Sequence, residues 1–193
     1  MTEAEEVPRS TLIILAHPDL EHSRISAPLA AGVADIPGVS VRDLAALYPD
    51  GVIDIEAEQQ ALEAADTVVL QYPTYWYSPP GLLKMWLDTV LVRGWAYGAS
   101  KPGVLAGKGL RVVTSTGGIE AAYSPNGFHG WAFDDVLIPM QAIARRLGMR
   151  WLDPLVVHGV RDVTPAELDV FVGEYRRMLL DGGAAGSAEL EAA

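Results

Sequence analysis

The chain has 193 residues, half of them hydrophobic, a formal net charge of -11 and no cysteine. That length supports a single domain with its own core. The acidic balance argues against nucleic acid as the main partner, and the absence of cysteine excludes disulfides, thiolate metal sites and cysteine nucleophiles.

Met1 to Arg9 is acidic and lacks the apolar core of a signal peptide. No apolar run approaches the roughly 18 residues of a membrane span. The expectation is a soluble, cytoplasmic protein with a flexible arm over 1–10, one domain over 11–180 and a Gly/Ala-rich disordered tail over 181–193.

Thr11 to Ala16 (TLIILA) reads as a buried strand that ends at His17-Pro18-Asp19. Ser23 to Ala34 reads as a helix with Ser23 as its N-cap and Pro28 near its first turn. Pro37-Gly38 turns the chain into a short strand, Val39 to Asp43. Pro49-Asp50-Gly51 marks Ala45 to Ile55 as a loop, and Glu56 to Ala65 is the next helix. Thr67 to Gln71 is the central strand, stopped at Tyr72-Pro73 because proline cannot continue a central ladder. After the aromatic run Tyr75-Trp76-Tyr77, Pro79-Pro80 open a helix on which Leu82, Leu83, Trp86 and Val90 share a face. Leu110 to Ser115 is a fourth strand, broken by Thr116-Gly117-Gly118. A long loop, Ile119 to Ala132, precedes a helix over Phe133 to Leu147 that Gly148 stops. Arg150 to Val157 is a fifth strand. Thr164-Pro165-Ala166-Glu167 is a capping box opening a helix to Leu180. Strands alternating with helices imply an α/β fold: a five-stranded parallel sheet, order 2-1-3-4-5, with helices on both faces.

In that order the first, third and fourth strands are central neighbours, and the loops at their carboxyl ends converge. The first loop leads to a helix N-terminus with Ser23, Arg24 and Ser26, suited to phosphate, although Ser23 taken alone is better read as a plain helix cap. The second supplies aromatics, and the third supplies Gly117-Gly118, where backbone can approach a ligand closely. Phosphate at one end and a flat ring at the other describe a flavin nucleotide. Other chemistries lack their signatures. There is no G-x-S-x-G elbow, GVLAGKG (Gly103 to Gly109) lacks the spacing and hydroxyl of a phosphate loop, and His17, Asp19, Glu21 and His22 have no known metal-ligand spacing. No metal is expected.

ILAHP (14–18), QYPTYWYSPPGLLKMWLD (71–88), GWAYG (94–98) and STGG (115–118), followed by Tyr123 and His129-Gly130, together resemble the flavodoxin-like NAD(P)H:quinone oxidoreductases. The resemblance runs from about Leu12 to Leu180 and is greatest to the bacterial branch that includes the ancillary oxidoreductase of glutathione-gated potassium efflux systems. DT-diaphorase is a more distant relative. The resemblance implies FMN, or FAD, as cofactor and NAD(P)H as donor. It places His17 and Ser23, Arg24, Ile25 and Ser26 at the cofactor phosphate. Pro73, Thr74, Tyr75, Trp76 and Tyr77 would lie along the ring, with Ser115, Thr116, Gly117 and Gly118 as the second ring loop. Tyr123 and His129 become the catalytic pair, donors to the negative charge of reduced flavin, and histidine titrates near neutrality. Trp76, Phe128, His129 and Trp131 would wall the slot for a quinone or other flat acceptor. The family commonly has asparagine where Ser26 stands. The resemblance also implies a homodimer with sites at its interface, and His158 could face the partner's site. Trp86 and Trp95 are core or dimer contacts. Two other roles remain open: a regulatory subunit peripherally bound to a potassium efflux transporter, and a flavodoxin-type electron carrier.

Overall fold

The computed structural model describes residues 10–98 and 103–181. The arm expected over 1–10 and the tail expected over 181–193 lie outside the described residues, except for Ser10 and Asp181. The elements are β1 (Thr11–Leu15), α1 (Ser26–Ala31), β2 (Val39–Asp43), α2 (Leu44–Leu47), α3 (Ile55–Ala64), β3 (Thr67–Pro73), α4 (Gly81–Val90), β4 (Gly109–Ser115), α5 (Phe133–Leu147), β5 (Arg150–Trp151), β6 (Leu155–Val157) and α6 (Pro165–Leu180). The sheet is parallel in the expected order, β2-β1-β3-β4-β5, with β6 also pairing with β4.

The continuous apolar strands are explained by two covered faces. Leu12, Ile14, Val68, Leu70, Leu110 and Val112 join a core with α3, α4 and α5. Their neighbours Ile13, Val69 and Val113 point the other way, into a core with α1 and α6. Among the described residues, no helix is long and apolar enough to cross a membrane.

Several boundaries differ from expectation: α1 ends at Ala31 rather than Ala34, β3 runs through Pro73 rather than stopping at Gln71, and three further differences have a visible cause. The first helix starts at Ser26, because the chain makes a 3-10 turn at Leu20–His22 before it. Within the segment read as a loop, Leu44–Leu47 forms a short helix, capped by the Asp43 carboxylate on the Ala45 and Ala46 amides. The fifth strand is two short ones, Arg150–Trp151 and Leu155–Val157, both paired with β4 and separated by a stretch containing Pro154, which has no N–H for a ladder.

The register sets up the site. Leu15 pairs with Gln71, and Pro73 pairs with Ser115, so the segments leaving β1, β3 and β4 emerge side by side. Pro73 is tolerated because it is the last residue of its strand, and Thr74 N–H resumes the pairing on the Ser115 carbonyl at 2.8 Å.

Candidate functional site

The loop after β1 is shaped by its own polar groups. Asp19 N–H donates to His17 Nδ1 at 3.1 Å. Burial holds the His17 imidazole below its ordinary pKa, with Asp19 and Asp43 opposing that shift. Ser23 Oγ accepts from Ser26 N–H at 2.9 Å and Ala27 N–H at 3.4 Å, so it meets the first amides of α1, but the N-cap position is Ile25, whose side chain makes no capping bond, and not Ser23 as expected. A hydroxyl that accepts still has its own proton to donate. The amides of His17, Arg24 and Ile25 have no acceptor among the described residues. Ser26 is 3% exposed, and its carbonyl takes Gln71 Nε2 at 2.7 Å. The Arg24 guanidinium is turned out of the loop: it donates to the Arg161 and Val163 carbonyls at 2.9 and 3.2 Å.

The loop after β3 is a two-residue hairpin. Tyr75 and Ser78 exchange both backbone hydrogen bonds, at 2.8 and 3.0 Å. Between them Trp76 and Tyr77 have φ of 49° and 61°, the pattern of a type I′ turn, which is normally built from Asn-Gly. Bulky L-residues there cost roughly 1–2 kcal/mol each. Trp76 is 93% exposed, so packing within the chain does not repay that cost. Such strain is characteristic of functional sites. Trp76→Asn combined with Tyr77→Gly is therefore expected to raise the unfolding free energy by about 1–3 kcal/mol, measured by urea or thermal melts, while removing the aromatic platform.

Thr74 joins the second loop to the third. Thr114 Oγ1 donates to the Tyr72 carbonyl at 2.7 Å and lies 2.8 Å from Thr74 Oγ1, so Thr74 is the donor of that pair. In the third loop the hydroxyls of Thr116 and Tyr123 are hydrogen-bonded, and Gly118 N–H reaches Thr116 Oγ1 at 3.2 Å. Tyr123 stacks on His129 with centroids 4.1 Å apart. His129 Nδ1 lies 3.0 Å from the Tyr77 hydroxyl, so the second and third loops are tied across the gap between them. A Cβ on Gly118 would lie 2.7 Å from His129 Nε2, whereas one on Gly117 would meet nothing within 4 Å. Neither glycine needs positive φ; at Gly118 the reason for glycine is close approach.

A family model described as a flavodoxin-like fold matches residues 9–179. The chain belongs to the flavodoxin-like fold family. The potassium-efflux ancillary protein KefF of Klebsiella pneumoniae is 42% identical over 171 residues, covering 88% of this chain and 94% of that protein. General stress protein 14 of Treponema denticola, solved in complex with FMN, is 34% identical with a TM-score of 0.83 and covers 88% of this chain and 97% of that one. An NADPH-quinone reductase from P. pentosaceus is 30% identical with a TM-score of 0.81, over 88% and 97% of the two chains. These relatives lie within the family and the bacterial branch that the motifs resemble.

In this member of the flavodoxin-like family, a cavity of about 500 Å³ is lined by Tyr77, His129, Trp131 and, from α5, Asp135, Val136, Ile138 and Pro139. Trp131 lines this cavity beside Tyr77 and His129. Phe128 meets His129 edge-on at 5.3 Å but is otherwise 91% exposed, and Trp76 also stands in solvent. A larger groove of about 790 Å³ lies behind Tyr123. Its charged lining is Glu120, Asp134, Asp162, Glu167 and Glu174, a field that disfavours a phosphorylated ligand.

His158 sits just beyond β6, within the chain's own ring cluster: its ring is 5.4 Å from Tyr123 and 5.2 Å from Phe133. Burial lowers its pKa, against the opposing effects of Glu120 and the Gly118 backbone. Nothing in the sequence signals this packing, nor the bond from Tyr77 to His129. Trp86 is a core residue, 1% exposed, and Trp95 packs on the same core with Nε1 donating to Glu63 at 2.7 Å.

Proposed function

We propose that the protein is an FMN-dependent NAD(P)H:quinone oxidoreductase. The observation that carries this reading is the convergence of three loops that offer unpaired donors and open space to a phosphorylated ring. At the phosphate end are the free amides of His17, Arg24 and Ile25 and the Ser23 hydroxyl. At the ring end, the amides of Trp76, Tyr77 and Gly117 are likewise without acceptors among the described residues, and no side chain approaches the Gly117 Cβ position. These residues fit FMN, and a relative 34% identical is named as an FMN complex. FAD is the alternative that a reconstitution comparison separates.

Bound there, the cofactor would supply ping-pong two-electron chemistry: hydride from NAD(P)H in one half-reaction, then hydride and a proton to a quinone, giving the hydroquinone, in the other. The chain's own part is to bind, orient and enclose. The Pro73 to Tyr77 segment and Ser115 to Gly118 flank the ring. Tyr123 and His129 present donors where negative charge develops. The cavity between Tyr77, His129, Trp131 and α5 takes the flat acceptor, and Trp76, Phe128, Trp131 and Ile138 are exposed apolar side chains that a second copy would cover in a homodimer.

Tyr123→Phe with His129→Ala is expected to slow reduction of bound FMN by about 100-fold while FMN stays bound, followed by anaerobic stopped-flow absorbance. An unchanged rate would remove the charge-stabilising role.

The similarity to KefF favours a second reading, a subunit that docks on a potassium-efflux transporter. A stoichiometric complex with a transporter, with no quinone reduction by the isolated protein, would place that reading first.

A further inference from the structure

Tyr77 belongs to the strained turn after β3, and His129 to the long loop after β4. Their side chains meet across the ring slot: the Tyr77 hydroxyl is 3.0 Å from His129 Nδ1, and the rings cross edge-on, 5.5 Å apart and 82° between planes. The opposite nitrogen, Nε2, faces Gly118, at 2.7 Å from where a Cβ would stand. The ring is also fixed from its flat side by Tyr123, stacked at 4.1 Å and 22°. Its backbone is held by His129 N–H on the Ala122 carbonyl at 3.0 Å. The imidazole thus has one nitrogen on Tyr77 and the other on the glycine loop.

In a neutral imidazole one nitrogen is a donor and the other an acceptor, and the partner of one decides the role of the other. A phenol is a stronger hydrogen-bond donor than acceptor towards an imidazole nitrogen. We propose that Tyr77 is a positioning residue for His129: its O–H donates to Nδ1, which fixes the proton on Nε2 and aims that N–H at the Gly117-Gly118 side of the slot. This rests on the oxidoreductase reading for its consequence, though not for its geometry. It also gives a reason for the turn. A positive φ at residue 77 lets a tyrosine ring leave the hairpin towards the opposite loop, and the strain there is maintained by what the hydroxyl does.

The test has two independent readouts on the full chain. The first is ¹⁵N NMR of the histidine rings without flavin, with His129 assigned by its loss in His129→Gln. The proposal expects His129 as the Nε2–H tautomer in the wild type and as a mixture of tautomers in Tyr77→Phe. Phenylalanine keeps the ring and the backbone demand of the turn, so folding is preserved. The second is anaerobic reduction of bound FMN by NAD(P)H. Tyr77→Phe should slow it about fivefold, the scale of one lost ordinary hydrogen bond, with FMN affinity unchanged. A wild-type His129 protonated on Nδ1, or a Tyr77→Phe spectrum identical to wild type, overturns the proposal. So does an altered tautomer with an unaltered rate. Failure of the wild type to bind FMN would defeat the oxidoreductase reading, and the NMR result would still decide what Tyr77 does.

Discussion

Glu58→Ala is expected to lower the unfolding free energy by about 3 kcal/mol, the scale of breaking a buried ion pair from one side. Glu58 lies on α3 with its side chain wholly buried. It accepts from Arg42 Nε at 2.7 Å, the Tyr48 hydroxyl at 2.5 Å and Trp86 Nε1 at 2.9 Å. One carboxylate therefore joins β2, the residue after α2, α3 and α4. Deleting it leaves the Trp86 indole N–H and the Tyr48 hydroxyl without their acceptor inside the core, and each buried orphan costs about 1–3 kcal/mol. Arg42 is 24% exposed and can turn to water, which keeps the total near the lower bound for such pairs. For a domain of this size the melting temperature should fall by about 6–12 °C. FMN affinity measured below the transition should not change, because the network lies under α4 rather than at the three loops. A loss under 1 kcal/mol would mean that the donors find other partners.

Among single substitutions at the site, Gly118→Ala carries the largest expected loss. The added methyl would stand 2.7 Å from His129 Nε2 and 3.0 Å from Tyr123 Cε2, and something must move. His129 is the part able to swing, away from Tyr77 and out of the wall. The reduction rate of bound flavin should fall about 10- to 100-fold, with stability changed by less than about 1 kcal/mol because the third loop lies at the surface. Gly117→Ala is the informative neighbour. Its methyl meets nothing in the protein, so stability should hold, and weakened FMN binding would show that the open space there is the ligand's. Equal rates in Gly118→Ala and wild type would mean that His129 has no part in the reaction.

Most of the scaffold is legible in the sequence because its signals are local. Unbroken apolar runs mark strands covered on both faces, and α5 begins at Phe133 and ends at Leu147 before Gly148, in the left-handed region at φ 70°. The misread elements are those where a local signal competes with a neighbour. Pro49-Asp50-Gly51 marks a loop, but Asp43 caps four residues of helix ahead of it. Asp153-Pro154 splits an apolar strand into two. Nothing local marks Glu58 for burial, since its burial depends on Arg42, Tyr48 and Trp86 arriving from three other elements. At the site, residue types could be read from sequence but directions could not. Arg24 suits a phosphate loop, yet two carbonyls from the β6–α6 connection hold it. Tyr77 suits a ring platform, yet its hydroxyl serves His129.

The measurement that bears most directly on the proposed activity is an anaerobic titration of the purified protein, reconstituted with FMN and separately with FAD, with NADH or NADPH and then with menadione. The account predicts FMN binding, bleaching of the flavin band by a nicotinamide nucleotide without a stable semiquinone, and return of the band on adding the quinone. Bound flavin that neither nucleotide reduces would contradict the oxidoreductase and favour a carrier or a transporter subunit. No flavin binding would contradict the site built from the three loops.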